Sequence, residues 1–306
     1  MRIFVAGATG AIGRPLVIRL VAEGHEVFGM TRSVDGAREL GSIGVEPVRA
    51  DAFDTAAVHV AVRRARPEIV IEQLTALPKI NTPENRRLAA AQHARTRLEG
   101  GANLHAAARA AGVRRYIAQS SAFWAAPGDR LADEMEPLAL VASPGVAGGA
   151  QTLAILEQRV LETPDLDGVV LRYGFFYGPR TWYAPDGSAA VQLRKAEFPI
   201  VGKGNGVWSF IHVEDAAAAT ASAIRQASAG IYHVVDDQPS QLCDWLPAFA
   251  RYVGAPPPSQ ISETEALRLA GEDIVYYATR LRGASNAKAK RGLGFRPRPL
   301  EWLYAA

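Results

Sequence analysis

Cysteine is almost absent: Cys243 is the only one in 306 residues. That excludes an intramolecular disulfide framework and a cysteine-based metal site. Cys243 itself reads as a small buried apolar side chain rather than a nucleophile. Long apolar runs are lacking too, since no window reaches the roughly 18 consecutive apolar residues a membrane span requires. The first residues read as a core strand, not a cleavable leader. Charge of one sign does not accumulate: 34 basic and 31 acidic residues give a net +3, with no run of five or six basic residues. The isoelectric point near 9.1 is therefore no argument for nucleic acid. With 48% hydrophobic and 21% charged residues, the chain has the composition of an ordinary globular protein. Its length allows one large α/β domain and a smaller lobe. The cytoplasm is the expected location, with no membrane or nucleic-acid partner and no internal repeat.

What is present is concentrated at the start. Residues 3–6 form a short apolar strand, and Gly7, Gly10 and Gly13 then lead into a helix with Leu16, Val17, Leu20 and Val21 on one face. Gly7 allows a sharp turn off the strand. Gly10 lets backbone N–H groups approach a pyrophosphate at the positive end of the helix, and Gly13 lets the helix pack close to the strand. The loop Gly7, Thr9, Gly10, Ala11, Ile12 and Gly13 is thus a dinucleotide cradle.

The first half continues as alternating strands and helices. Strands are predicted at 26–30, 45–49, 68–74, 116–119 and 169–172. Helices are predicted at 12–23, near 36–41, and at 55–64, 88–111 and 150–162, with 145–149 as a flexible turn. This βα order predicts a parallel, doubly wound Rossmann sheet. Residues 1–175 read as the dinucleotide-binding domain, with 207–236 returning to it. Residues 176–306, rich in loops and proline, read mainly as a substrate-binding lobe. Phe175, Phe176, Trp182, Tyr183, Phe198 and Trp208 look like the walls of a small-molecule pocket.

The glycine motif, Asp51 and Asp54, Asn103, Ser120-Ser121, Tyr177-Gly178-Pro179-Arg180, the run from Trp208 to Ala217 and the closing Ala287–Phe295 segment occur in an order that resembles one family. It is the extended short-chain dehydrogenase/reductase family, which includes NAD-dependent epimerases and dehydratases. The resemblance spans nearly the whole chain and implies a nicotinamide cofactor. It further implies adenine contacts from Asp51 and Ala52, and a place for Leu74, Thr75 and Ala76 along the nicotinamide ribose. It also implies pairing of two chains through the helices near 96–111 and 150–162, where Leu153, Leu156 and Val160 form an apolar stripe.

The departures bear on chemistry. The family's Tyr-x-x-x-Lys pair, in which Tyr exchanges a proton and Lys lowers its pKa, falls on Gly149 and Leu153, with no Tyr or Lys between 145 and 162. The family's helix Asn falls on Arg97. Ser121 matches the active-site Ser/Thr that holds the reacting oxygen. A replacement proton donor is sought among Tyr173, Tyr177, Tyr183, Tyr276 and Tyr277, with Tyr173 and Tyr177 foremost because they follow a strand end facing the crevice. His212 reads as structural, Asp215 as the cap of the next helix, and Asp133, Glu134 and Glu136 as a solvated acidic loop.

Cofactor choice turns on Arg32. NAD sites place an acid after the second strand to accept from the ribose 2′-hydroxyl; here Met30-Thr31-Arg32-Ser33 has none before Asp35. A guanidinium there suits the 2′-phosphate of NADP, and Arg14 adds a second positive contact. NADP is therefore expected, with NAD as the alternative. The leading function is an NAD(P)-dependent oxidoreductase that reduces a small organic carbonyl, imine or conjugated alkene. The alternatives are a nucleotide-sugar epimerase/dehydratase-like enzyme and a non-catalytic NADP-sensing regulator. Fold alone does not choose among them.

Overall fold

The computed structural model describes residues 1–304. Its centre is a seven-stranded parallel sheet built from β1 (Arg2–Ala6), β2 (Glu26–Thr31), β3 (Glu46–Arg49), β4 (Ile69–Glu72), β5 (Arg115–Ser121), β6 (Asp167–Tyr173) and a late strand (Gly230–Val234). The order across the sheet is late strand, β6, β5, β4, β1, β2, β3. The order reverses between β1 and β4, so a crevice opens at their carboxyl ends, where ligands of such sheets bind. Ile3, Val5, Ile69, Ile71, Ile117 and Val169 supply one buried face. Phe4, Ala6, Val70, Tyr116 and Ala118 supply the other. These strands, covered on both faces, explain the nearly continuous apolar runs.

The helices of this half are α1 (Gly13–Ala22), α2 (Val34–Ser42), α3 (Thr55–Ala65), α4 (Pro83–Arg95), α5 (Gly101–Ala110) and α6 (Pro144–Leu161); α4 buries none of its residues and packs on α6 rather than on the sheet. Two differ from expectation. The single helix predicted at 88–111 is broken by a π-turn at Thr96–Gly100 between α4 and α5, with the Gly100-Gly101 pair at the break. A Cβ on Gly101 would lie 2.4 Å from a Glu72 carboxylate oxygen. The glycines at 145–149 are helical, not a turn: Pro144 starts α6, and the N–H of Gly145 donates to Asp273 (3.0 Å). Tertiary contacts thus overcome the poor helix propensity of glycine.

Beyond β6 the chain forms β7 (Phe175–Tyr177), α7 (Ser188–Arg194), β8 (Ile200–Val201), β9 (Val207–Trp208), β10 (Phe210–His212) and α8 (Val213–Gln226). The late sheet strand is β11 (Gly230–Val234), followed by β12 (Ser240–Gln241), α9 (Leu242–Tyr252), β13 (Gln260–Ile261), α10 (Glu263–Ala270), α11 (Glu272–Thr279), α12 (Ala287–Leu293) and α13 (Glu301–Tyr304). α8 packs on α1. His212, not Asp215, caps α8: its Nδ1 accepts from the N–H of Glu214 (3.2 Å). Asp215 instead accepts from the backbone N–H of Arg298 (2.8 Å) and pairs with its guanidinium.

Phe175, Tyr183 and Trp208 are buried with Trp245, Phe249 and Trp302 in an aromatic core. Phe175 stacks at 4.2 Å on both Phe123 and Trp208. Most of the aromatics expected to wall a pocket therefore fill a core. Cys243 is half-exposed rather than buried, with its thiol 3.5 Å from Gln241.

Asp236, almost fully buried after β11, carries a carboxyl shifted from 3.8 up to about 7, chiefly by burial. Between those values the folded chain keeps a proton that the unfolded chain releases, so stability falls as pH rises through this window and then levels off. Asp236→Asn is expected to flatten that slope and raise Tm above pH 7. A Tm–pH profile identical to the wild type would contradict this.

Candidate active site

The cradle is built as its sequence dictates. Gly7 has φ +84°, and a Cβ there would lie 2.4 Å from the carbonyl oxygen of Gln73. A Cβ on Gly13 would lie 2.1 Å from the carbonyl oxygen of Gly7. No other residue fits either place without moving backbone. Gly10 closes the turn by donating to Gly7 O (3.0 Å). Ile12 is buried in the core, which leaves only its backbone, like that of Ala11, for a ligand. In the first turn of α1 the Arg14 and Leu16 N–H groups already donate to Gly10 O and Ile12 O (both 3.0 Å) and Pro15 has none, so it is the Gly13 N–H and the positive end of the dipole that fit the loop to a pyrophosphate. Thr9 packs toward Gly36 at the start of α2.

At the far end of the cradle, Arg32 is exposed and makes no ion pair among the described residues. Ser33 caps α2 by accepting from the N–H of Gly36 (3.0 Å), and Asp35 is tied to Arg38 (2.9 Å). Arg14 is less free than its position suggests. It pairs with Glu39 (2.7 Å), which also meets Arg180 (3.3 Å), and the Arg14 hydrogen bond holds the Glu39 carboxyl below its usual range. Asp51 is exposed and accepts from the N–H of Phe53 (3.0 Å), closing its own turn. Ala52 is buried and its carbonyl accepts from Asn103 Nδ2 (2.9 Å).

After β4, Leu74 is half-buried and Thr75 exposed, while the N–H of Ala76 donates to His93 Nδ1 (3.1 Å). The same loop is anchored to the later part of the chain: Trp182 Nε1 donates to Pro78 O (2.9 Å), and Asn81 N–H to Ser188 Oγ (3.1 Å). Arg97 Nε faces His93 Nε2 at 3.1 Å. Both ring nitrogens face donors, of which a neutral imidazole can accept only one, and burial, then the Arg97 charge, pushes the imidazole down to about 3. His93 is neutral at physiological pH.

Ser121 stands half-buried at the carboxyl end of β5, paired with Tyr173 in the sheet, and its hydroxyl makes no hydrogen bond among the described residues. Ser120, on the opposite face, donates to Glu157 (2.6 Å). The two tyrosines expected as proton donors are otherwise employed. Tyr173 lies in the core; its hydroxyl is 2.6 Å from Thr220 Oγ1, whose own proton goes to Ala216 O, and burial pushes it up to about 12. Tyr177 donates to Pro299 O (3.3 Å) between the rings of His212 and Trp302, and burial raises its pKa further. Tyr183 belongs to the aromatic core, and Tyr276 is buried. Of the acidic loop, Glu134 accepts from the N–H of His233 (2.8 Å) and Glu136 pairs with Arg282 (3.3 Å).

Gly149, where the resemblance puts the family tyrosine, is closed off by a side chain from elsewhere. A Cβ on Gly149 would lie 2.3 Å from the indole of Trp124. The Trp124 Nε1–H donates to the hydroxyl of Tyr277 (2.9 Å), and Arg86 lies 5.3 Å from the Tyr277 ring centroid. Leu153, at the lysine position, is buried. Trp124, His93 and Arg86 had no motif to mark them.

Cradle, switch-point crevice and a serine at the end of β5 define a dinucleotide-binding α/β enzyme. The chain matches the model of the NAD dependent epimerase/dehydratase family over residues 3–235 and belongs to that family. It is 46% identical over 306 residues to a 3-diazoavenalumate denitrifying reductase of Streptomyces sp, covering 99% of this chain and 98% of the relative. It is 27% identical over 252 residues to a 4-hydroxy-2-methyl-3-oxo-4-farnesyl-3,4-dihydroquinoline-1-oxide ketoreductase of Stigmatella aurantiaca, covering 80% of this chain and 71% of the relative. The crystal structure of the UDP-glucose 4-epimerase of Thermus thermophilus, complexed with NAD, aligns over 97% of this chain and 94% of that one, with a TM-score of 0.73 and 27% identity. The chain is an NAD(P)-dependent oxidoreductase of the extended short-chain type, with a nicotinamide cofactor and a small-molecule substrate. No helix among the described residues is long and apolar enough to cross a membrane.

Proposed function

We propose that this chain is an NADPH-dependent reductase whose acceptor takes up hydride without needing a proton, an aryl diazonium being the acceptor class. The carrying observation is the Trp124 indole against Gly149, which leaves α6 with neither phenol nor ammonium at the family's acid–base positions. When bound, the reduced nicotinamide supplies hydride. A carbonyl or imine that accepts hydride leaves an anion to be protonated, and a positioned acid contributes about 100- to 10,000-fold there. An aryl diazonium instead loses dinitrogen. Its C–N bond breaks, a C–H bond forms, the positive charge is discharged, and no proton is exchanged. The name of the Streptomyces relative, a denitrifying reductase of a diazo compound, supports this choice.

In this reading Gly7, Thr9, Gly10, Ala11, Ile12 and Gly13 hold the pyrophosphate, Asp51 and Ala52 flank the adenine, and residues 74–76 lie along the nicotinamide ribose. Ser121 orients the substrate. Residues 1–175, with 207–236, hold the cofactor, and 176–306 mainly shape the substrate side. Two chains pair through the helices at 96–111 and 150–162, that is, the π-turn with α5 and α6. The stripe Leu153, Leu156 and Val160 is buried within the chain, so the α6 side of this pairing rests on exposed Ile155 and Leu161.

The test combines the purified chain, NADPH and 4-carboxybenzenediazonium. Dinitrogen release equal to NADPH consumed, with deuterium passing from labelled NADPH to the ring, is the expected result. Reduction of 4-carboxybenzaldehyde but not the diazonium would overturn it. Loss of that aldehyde activity in Tyr277→Phe would then make Tyr277 the acid, a second reading favoured by its hydrogen bond to Trp124.

Arg32 supports NADPH over NADH because the exposed guanidinium has no ion-pair partner among the described residues, where a 2′-phosphate would bring one. By calorimetry, Arg32→Ala is expected to weaken NADPH at least tenfold, about 1.4 kcal/mol, and leave NADH unchanged. Equal weakening of both, or tighter binding of NADH to the wild type, would count against NADPH.

A further inference from the structure

Around the carboxyl ends of β4 and β5 lies a buried ionic cluster in which the charges do not balance. Glu157 on α6 takes a two-point ion pair from Arg172 (2.8 and 2.6 Å) and the Ser120 hydroxyl. Glu72 at the end of β4 accepts from Tyr116 (2.6 Å) and lies 3.8 Å from Arg159. Arg159 also donates to the carbonyls of Leu98 and Arg97 in the π-turn (3.3 and 3.1 Å). Both carboxylates are thus engaged by other arginines. The third guanidinium, Arg97, is 3% exposed and has no carboxylate within ion-pair distance among the described residues. Its Nη1 donates to Gln119 O (2.7 Å) and its Nε faces neutral His93, while Nη2 has no hydrogen bond among the described residues. Burial pushes its pKa down to about 10, with Glu72 and Glu157 opposing the shift from a distance.

Three guanidiniums against two carboxylates leave one buried positive charge uncompensated, and such a charge is costly unless an anion meets it. The chain nonetheless builds a device to hold it there. The π-turn, a feature often found at functional sites, carries Arg97, and Arg159 ties down its carbonyls. Gln119 stands two residues before Ser121, the last residue of β5, so the bond to the Gln119 backbone carbonyl holds the guanidinium beside the end of that strand.

We propose that Arg97 is the anion-binding residue of the substrate site and takes an oxyanion, carboxylate or phenolate, of an aromatic substrate beside Ser121. His93 is a positioning residue that packs between Arg97 and Ala76, and its single acceptor nitrogen takes one of the two N–H groups at a time. The proposal rests on the reading of this crevice as the substrate site, but not on the diazonium acceptor.

The test is calorimetry on the NADP⁺-loaded protein with two probe pairs: 4-methoxybenzoate against its methyl ester, and ionised 4-nitrophenolate against 4-nitroanisole. The wild type is expected to prefer one anion to its neutral partner at least tenfold, and the pair that discriminates identifies carboxylate or phenolate. Arg97→Gln is expected to abolish the preference while leaving NADPH affinity unchanged, and Arg97→Lys to restore part of it. An anion preference undiminished in Arg97→Gln would overturn the proposal. So would the absence of any preference in the wild type, a result that needs no variant to fold. A wild type that prefers anions through Arg97 but does not turn over the diazonium would leave Arg97 in place and remove the diazonium reading.

Discussion

Glu157→Leu is expected to destabilise the fold by about 3–5 kcal/mol, the range for removing one member of a buried ion pair. The leucine would leave Arg172 (4% exposed) with a buried charge and Ser120 (1% exposed) without its acceptor. The loss should appear as a lower urea midpoint with little change in slope. The double variant Glu157→Leu/Arg172→Leu should recover much of it, because two apolar residues remove the uncompensated charge. A single-variant loss under about 1 kcal/mol would mean that the pair is hydrated and that the cluster is not a low-dielectric site.

Restoring the family's tyrosine is expected to fail. In Gly149→Tyr, the first side-chain atom would already lie 2.3 Å from the Trp124 indole. The ring must displace the tryptophan and break its 2.9 Å bond to Tyr277. Overpacking of this kind costs roughly 1–3 kcal/mol, and a lowered Tm is the expected readout. Gly149→Tyr/Leu153→Lys should gain no carbonyl reductase activity, since Leu153 is buried where a lysine would need a partner. Adding Trp124→Ala should return part of the lost stability by making room. Undiminished stability together with new aldehyde reduction in the double variant would show that the indole yields freely. The protonless acceptor would then lose its main support.

The same two regions show how far sequence reading reached. Gly7 and Gly13 were legible because their requirement is local: a positive φ and backbone approach within a few residues. The strands were legible because burial on both faces leaves apolar runs, and α1 because its buried side recurs at helical spacing. The lack of an acid beside Arg32 and the lack of any Tyr or Lys between 145 and 162 are plain in the sequence itself. The fates of Tyr173 and Tyr177 are not. Both follow strand ends that point toward the crevice, but their hydroxyls are claimed by Thr220 and Pro299, residues distant in sequence.

The π-turn was hidden because α-helical periodicity shifts by only one residue through it. The aromatic residues were read as a pocket because composition does not distinguish a wall from a core. By itself the sequence determined the doubly wound order, the glycine turn from β1 into α1 and the absence of any Tyr or Lys between 145 and 162, since each is written in neighbouring residues. Only the tertiary structure decided that Trp124 packs against Gly149, that Arg14 is held by Glu39, and that Arg97 has no counter-ion among the described residues. Those outcomes depend on side chains brought together from distant parts of the chain, where packing and charge balance, rather than local propensity, decide the partner.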